Sequence, residues 1–507
     1  MSGPAPDPAA SAAEPAPRAR RVLASGHLHP AVLVLKLVDA LRQAALPLVI
    51  AFVAKASALA IAVAVLALVG LVFAIARYVS FRYELDADEL VTREGILQRQ
   101  ERRIPVDRIQ DLSFESTLLR RMLGLVVVSV ETASGQGAEA RLDSLGRREG
   151  AMLREVLLRL RDPAQPGEAT RASPAAGGRI LERTALGELV LLGLTSNRAG
   201  AILVAVVGFF EFADELGVGA AIGGSVGASL ERLSAFGAPI VALFLVGIAI
   251  LVFVLGAVLS IAARLLRWGD FELSLRGDVL GRRHGWITRR AQSLPKRRIQ
   301  RVLLEANPLR RLVDRVVLRA DSAGADANEQ DASRSARDVM VPLCASRRAE
   351  RLVPELLDGL ATARPVWRRV SSRLILRLSA EGLVAGSIAA ALLFPRFGWP
   401  AMLLLLLPVF TFGWATLAWH NLGFARLPGH VAFRWGVLSR TRAFVPLRKL
   451  QGVTLVAGPI DRLFGLARIT VYVAGGSPTR LGHLPREEAR ALRDAVVAEA
   501  EALDFVW

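Results

Sequence analysis

FRYELDADELVTREGILQRQERRIPVDRIQDLSFESTLLRRMLGL, residues 81–125, is written three times along this chain in altered form. In the first copy Gly95 is followed ten residues later by Pro105, five later by Gln110 and eleven after that by Arg121. Gly285, Pro295, Gln300 and Arg311 keep that spacing, and Gly436, Pro446, Gln451 and Arg462 keep it again without a gap. The positions between agree in type. Arg108, Arg298 and Lys449 stand two before the glutamine, Ile109, Ile299 and Leu450 one before it, and Leu119, Leu309 and Ile460 nine after it. Identities held at fixed offsets in three copies define an internal repeat.

Each copy reads as strands followed by one helix. Residues 81–90 alternate in polarity, and 90–98 are broken at Gly95, where a turn is expected. Residues 104–114 supply another strand, and 125–132 form a near-continuous apolar, β-branched run. Helical patterning comes last, over 150–160, 347–360 and 485–503. In the third of these, Pro485 opens the helix and Glu487 and Glu488 complement the positive end of its dipole. A weaker echo, Arg141-Leu142 with Leu145 and Arg480-Leu481 with Leu484, precedes two of the helices. The second copy carries an extra polar loop over 321–338. Short strands closed by one amphipathic helix predict a small antiparallel β-barrel or sandwich capped by a C-terminal α-helix.

A pair of apolar segments stands before each copy: 44–54 with 58–76, 199–212 with 239–263, and 383–394 with 399–419. The later member of each pair is long enough to cross a hydrocarbon core of ~30 Å. The earlier member is short, and an amphipathic stretch leads into it (32–43, 185–196 and 372–382). Those stretches either extend the first helix out of the bilayer or lie along the interface; extension is the reading adopted. Arginine sets the orientation. Arg18, Arg20, Arg21, Arg77, Arg82, Arg179, Arg183, Arg264, Arg267, Arg364, Arg368, Arg369 and Arg426 gather on one side, against Lys55, Arg232 and Arg396 on the other. Both termini and all three repeats are therefore expected at the cytoplasmic face of a bacterial inner membrane, on an α+β protein with six transmembrane helices in three hairpins. The expected order is a disordered tail (1–28), hairpin (29–78), domain (79–163), linker (164–183), hairpin (184–268), domain (269–363), hairpin (364–421) and domain (422–507).

The totals narrow the chemistry. A formal charge of +18 beside long apolar runs suits the anionic cytoplasmic leaflet better than nucleic acid. One cysteine, Cys344, excludes an intrachain disulfide framework and a cysteine-based zinc site. His27, His29, His284, His420, His430 and His483 fall in no metal-ligand spacing. There is no G-x-S-x-G, P-loop or kinase-type set. The glycine cluster Gly217, Gly219, Gly223, Gly224 and Gly227 reads as a flexible outer loop. Lys36, Asp39 and Glu188 stand at the rims of membrane segments, where they reach water by snorkelling. No cofactor and no catalytic or metal residue is expected.

A helical hairpin, then strands bearing Gly-x9-Pro-x4-Gln, then a terminal helix resembles the bacterial PH domain type 2 family, the YdbT-like membrane proteins. The residues that carry the resemblance are Gly95, Pro105, Arg108, Gln110 and Arg121 with their counterparts in the other two copies, Lys449 included. Gly193-Leu-Thr-Ser-Asn197 looks like a run the family carries ahead of a membrane helix. The third copy departs from the pattern, with Asp461 where the others have Arg120 and Arg310, and with Pro428 in its first strand. The resemblance implies a PH-like fold at a membrane and no reaction, since a fold does not fix a function. Glycine, proline and glutamine of the repeat are expected to be structural. Arg108, Arg121, Arg298, Arg311, Lys449 and Arg462 are candidate contacts for anionic lipid or a protein partner. The function expected is a non-enzymatic scaffold that displays three PH-like domains; the alternative is a transporter built on the hairpins, for which Ser260, Ser387 and Thr411, with breaks at Pro47 and Pro408, offer few polar groups.

Overall fold

The computed structural model describes residues 23–53, 57–95, 99–132, 138–161, 178–196, 238–322, 339–360, 365–474 and 477–503. The chain divides into two compact units. The first holds most of the first repeat; the second takes in Ser113–Leu118, Thr132–Gly137 and everything from Arg171 onward.

In the first unit β1 (Ala24–His27) pairs antiparallel with β2 (Arg82–Leu85), and the helices α1 (Val32–Val53) and α2 (Ser57–Ser80) lie between them in sequence. β3 (Glu89–Glu94) and β4 (Gln100–Pro105) complete that sheet. Gly95 follows β3 with a φ of 98°, the left-handed region that glycine enters without a side-chain clash. Pro105 then opens a 3-10 turn, Val106–Arg108, because its fixed φ suits the entry and its missing N–H is not needed there. The turn hands the chain to β5 (Ile109–Ser116), the one-turn helix α3 (Leu118–Met122), β6 (Leu125–Thr132), β7 (Ala138–Gly146) and α4 (Arg147–Arg161). Leu153 and Leu157, one turn apart on α4, are buried with Leu125, Val128 and Leu142 of the strands.

The second unit repeats this order twice. First come β8 (Arg179–Arg183), α5 (Leu186–Leu194), α6 (Ala238–Trp268), β9 (Glu272–Arg276), β10 (Val279–His284) and β11 (Arg289–Pro295). After the 3-10 turn Lys296–Arg298 follow β12 (Ile299–Ala306), α7 (Pro308–Leu312), β13 (Arg315–Ser322), β14 (Val339–Ala345) and α8 (Ser346–Leu356). The third repeat runs β15 (Arg368–Arg369), α9 (Arg373–Phe397), a 3-10 stretch Trp399–Leu406, α10 (Leu407–Asn421), β16 (Gly423–Leu427), β17 (His430–Trp435) and β18 (Arg440–Pro446). It ends with the 3-10 turn Leu447–Lys449, β19 (Leu450–Val456), α11 (Pro459–Leu463), β20 (Leu466–Val473), β21 (Thr479–Pro485) and α12 (Arg486–Glu501). Ala349, Leu352, Val353 and Leu356 bury one face of α8 against the second repeat's strands, and Ala489, Leu492 and Val496 do so for α12 in the third.

Three features differ from the sequence reading. The expected tail of residues 1–28 gives way at Ala24, because β2 has a sheet edge that β1 satisfies; residues 1–22 lie outside the described residues. β8, inside the stretch expected to be linker, and β15, inside the stretch expected to be the third hairpin, pair with β9 and β16 in the same way. In each repeat the described apolar helices are thus inserted between the first two strands of the domain instead of preceding it. Six spans were expected; among the described residues four stretches are long and apolar enough to cross a membrane, Ala60–Ser80, Ile250–Trp268, Arg373–Phe397 and Trp399–Asn421. α1 runs unbroken through the amphipathic stretch and its apolar continuation, but Lys36, Asp39 and Arg42 in its first half keep it out of that set. The first member of the second pair and the glycine cluster fall in residues 197–237, outside the described residues.

The second and third repeats share one sheet, in the order β14-β13-β12-β18-β17-β16-β15. β12 and β18 pair antiparallel with Leu304 opposite Arg442. Ser113–Leu118, which belongs to this unit, makes the like pairing: Phe114, Glu115 and Ser116 stand opposite Ala291, Arg290 and Arg289.

Candidate functional site

Between the first and second strands after each 3-10 turn the chain makes one turn of helix, and this knuckle carries the exposed part of the repeat. α7 begins at Asn307, whose Oδ1 accepts from the Arg310 backbone N–H at 2.9 Å, with Pro308 in the first turn. In α11 the cap is made from inside: Asp461 Oδ2 accepts from the Gly458 N–H at 3.2 Å. So short a helix has little room to bury a face, and each knuckle presents a large apolar side chain outward. Met122 is 78% exposed, Leu312 84% and Leu463 81%. They occupy equivalent positions, each directly after the repeated arginine (Arg121, Arg311, Arg462), and Leu119, Leu309 and Ile460 add a second exposed apolar residue. Exposed apolar residues that recur at one place in three copies make the knuckle the candidate contact surface. The sequence carried the signal at 122, 312 and 463, but exposure was needed to separate them from core.

Two knuckles are tied to apolar helices. Asn307 Nδ2 donates to the Thr195 carbonyl at 2.6 Å, and Arg310 Nε donates to Thr195 Oγ1 at 3.2 Å. Thr195 ends α5, which packs along α6: Ser260 Oγ donates to the Gly193 carbonyl at 3.0 Å, and a Cβ on Gly193 would lie 2.6 Å from Ile261 Cα. Ser260 and Ile261 belong to the apolar stretch Ile250–Trp268, so α5 links α7 to that stretch. Glu188 on α5 accepts from Arg315 Nε at 2.9 Å, which fixes the same junction and raises the Arg315 pKa. In the third repeat Asp461 pairs with Arg377 of α9 at 3.1 Å, both largely buried. The departure from the arginine of the other copies is thus a change of partner polarity at the same junction.

Basic side chains gather next to the second knuckle. Arg311, Arg315, Arg440 and Arg442 line a cleft of about 510 Å³ with Asp314 as its carboxylate. Arg315 is held by Glu188 and Arg442 by Glu350 at 2.5 Å. Arg311 and Arg440 bond neutral oxygens instead: Arg311 Nη1 donates to the Val437 carbonyl at 2.9 Å, and Arg440 donates to Asn421 Oδ1. Burial, with Arg311 and Arg442 nearby, lowers the Arg440 pKa; a bound anion reverses the second of these effects. In the first unit a second cleft, about 480 Å³, opens between α1, α2 and β7. Lys36, Asp39, Arg77, Arg141 and Asp143 form its polar side, and Val32, Phe73 and Phe81 are among its apolar lining.

The remaining residues singled out in sequence divide cleanly. Gly285 and Gly436 have φ of 104° and 98°, and a Cβ at either would run into a carbonyl oxygen, of Thr288 or Ser439. Pro105, Pro295 and Pro446 each open a 3-10 turn. Gln300 is buried and its Nε2 donates to the Arg298 carbonyl at 3.4 Å, while Gln451 is exposed; the Gln110 side chain lies outside the described residues. Arg108 is exposed and Arg121 and Arg298 are half-buried. Lys449 is buried, its Nζ donating to the Arg297 carbonyl at 2.6 Å, with burial lowering its pKa. It lies inside the protein where its counterpart Arg108 is outside. Among the described residues no three His, Cys, Asp or Glu side chains converge as a metal site.

Comparison with known proteins adds the family. The family model described as Bacterial PH domain matches residues 35–161, 226–359 and 376–500, once per repeat. A transmembrane protein of Bacillus subtilis (strain 168), YdbT, is 24% identical over 322 residues, which cover 60% of this chain and 64% of that protein. The chain thus spans a little under two thirds of that relative's length. Matched in all three of its repeats and over most of its length, the chain is a membrane protein of the bacterial PH domain family.

Proposed function

We propose that this protein is a non-enzymatic scaffold that holds three PH-like domains at the inner membrane of a bacterium and engages anionic lipid headgroups and protein partners there. The observation that carries the reading is the repeated knuckle: an arginine followed by an outward apolar residue, at Met122, Leu312 and Leu463, with two of the three tied to apolar helices. A side chain such as Leu312 dips into the headgroup layer while Arg311 stays at phosphate level. Each basic residue near an anionic surface contributes about 1 kcal/mol, too little alone, so three modules on one anchor act multivalently. The cleft lined by Arg311 and Arg440 is of a size and sign to take a phosphate headgroup. Arg77, Arg264, Arg267 and Arg426 lie where the helices meet the domains, which supports cytoplasmic domains and termini.

The transporter reading is weaker, because Ser260 and Thr411 in the apolar helices are bonded to backbone carbonyls, of Gly193 at 3.0 Å and of Pro408 at 3.1 Å. The scaffold reading is tested in proteoliposomes of the full chain carrying Leu312→Cys with an environment-sensitive dye; the native Cys344 is buried and its thiol pushed up to about 12. The dye is expected to report an apolar setting and to be quenched by shallow lipid-borne quenchers, more so with phosphatidylglycerol than in neutral lipid. A dye at Leu312 that behaves like one at exposed Glu350 in both lipids rules the reading out.

A further inference from the structure

The two pairings that join repeats within the second unit are copies of one another. Phe114, Glu115 and Ser116 face Ala291, Arg290 and Arg289, and Leu304, Glu305 and Ala306 face Arg442, Thr441 and Arg440. The fixed offsets of the repeat carry each pair of the first onto a pair of the second, so the register is the same. In both, a small residue, Ser116 or Ala306, faces an arginine, Arg289 or Arg440. A contact between two different strands, repeated head to tail, leaves one strand of each kind over at the ends.

Those strands are β4 and β19, which each end a sheet with one strand neighbour among the described residues. β12, with neighbours on both sides, is buried at all but one position; β19 is half-buried or exposed throughout, and β4 is exposed at all but Ile104. The end strands keep the signature of the joints. Arg99 stands where Arg289 and Arg440 stand, and Ala457 where Ser116 and Ala306 stand. Where Glu115 meets Arg290, the end strands offer Val456 and Gln100, so the loss of the acid is matched by the loss of the base. Arg462, the counterpart of the Arg311 that reaches across to Val437, is exposed and bonds the Ala457 carbonyl of its own repeat at 3.1 Å.

We propose that β19 of one copy pairs antiparallel with β4 of a second copy of this chain, in the register of the internal joints, and that copies assemble head to tail along the membrane. Val453 then faces Arg103, Leu455 faces Glu101, Val456 faces Gln100 and Ala457 faces Arg99. An exposed strand edge is completed by addition of a strand, and a heterologous contact adds copies one after another. The inference deepens the scaffold reading by naming a protein partner, and it rests on that reading only for placing the copies in one membrane.

The test is cross-linking of the full chain in vesicles of neutral and of anionic lipid, with Val456→Cys and Gln100→Cys made singly and together and joined by mild oxidation or a short bis-maleimide. Both positions are exposed, and an unchanged thermal melt checks folding. A mixture of the two single variants is expected to give a covalent dimer, each single variant alone none, and the double variant a ladder of oligomers. The proposal is overturned if the mixture cross-links no more than Val456→Cys mixed with the off-register Glu94→Cys, or if either single variant dimerises as well as the mixture. Since cross-linking in both lipids is expected, its failure is distinguishable from failure of the lipid reading, which the Leu312 dye reports.

Discussion

His284 shows how one side chain records its surroundings. It lies between Trp268, with ring centroids 4.5 Å apart, and Phe271, and its Nδ1 donates to the Arg267 carbonyl at 2.8 Å. Burial lowers its pKa to about 3, with Arg282 adding to the effect. An unfolded histidine titrates near 6.5, so between these values the unfolded chain binds a proton that the folded chain refuses. Stability from His284 is therefore complete above about pH 6.5 and falls as the pH drops toward 3, by about 1.4 kcal/mol per pH unit while the difference is one proton. His483, lowered to about 4 by burial and then by Arg377, acts in the same direction. The melting temperature in detergent is expected to fall from pH 7 to pH 5, and the slope to be shallower in His284→Phe. A slope unchanged by that substitution refutes the assignment. In sequence His284 was legible only as a histidine without metal-ligand spacing. Gln300 and Gln451 mark the same limit, since one letter is buried on β12 and exposed on β19 according to how many strands flank it.

At the scale of the element the repeat was legible where it fixes backbone shape. Gly95 was read as a turn residue and Gly285 and Gly436 as its structural counterparts; all three have positive φ. The long runs 125–132 and 485–503 became β6 and α12 within a few residues. What escaped was short. The 3-10 turn after Pro105, Pro295 and Pro446 splits what looked like one strand, and three residues carry no periodicity to announce it. β15 is two residues, Arg368–Arg369, and exists because β16 offers an edge. The one-turn knuckles were likewise too short to show a face. The glycine claim gives a graded prediction. Gly285→Ala and Gly436→Ala put a side chain at positive φ and against a carbonyl oxygen, and each is expected to destabilise the protein by about 1–3 kcal/mol. Gly452→Ala on β19, with ordinary φ and open space around it, is expected to be near neutral. Thermal melts of the three variants decide it: equal effects at 436 and 452 contradict the strained-turn account.

Across the second unit the question is whether two repeats behave as two domains. Sequence reading gave separate modules, because pairing between repeats depends on strand edges, which leave no periodic trace. The structure joins them: β12 pairs with β18, and Arg301 of the second repeat reaches into the third. Its Nη1 donates to the Ser477 carbonyl at 2.6 Å and to Thr479 Oγ1 at 2.7 Å, while its Nε holds Asp321 at 2.5 Å. Arg301 and Asp321 are both nearly buried, and removing one neighbour of such a pair leaves a desolvated charge. Loss of the third repeat's core therefore exposes the edge of β12 and strips Arg301 of two acceptors, so the second repeat should loosen with it. Phe433→Ala tests this. The side chain is 1% exposed in the third repeat's core, and its removal costs about 3–5 kcal/mol. Hydrogen exchange is expected to quicken in β12–β14 as well as in β16–β21, because local stability follows cooperative units and not repeat boundaries. Protection of β12–β14 that stays at its native level while the third repeat opens sets the two apart as independent domains.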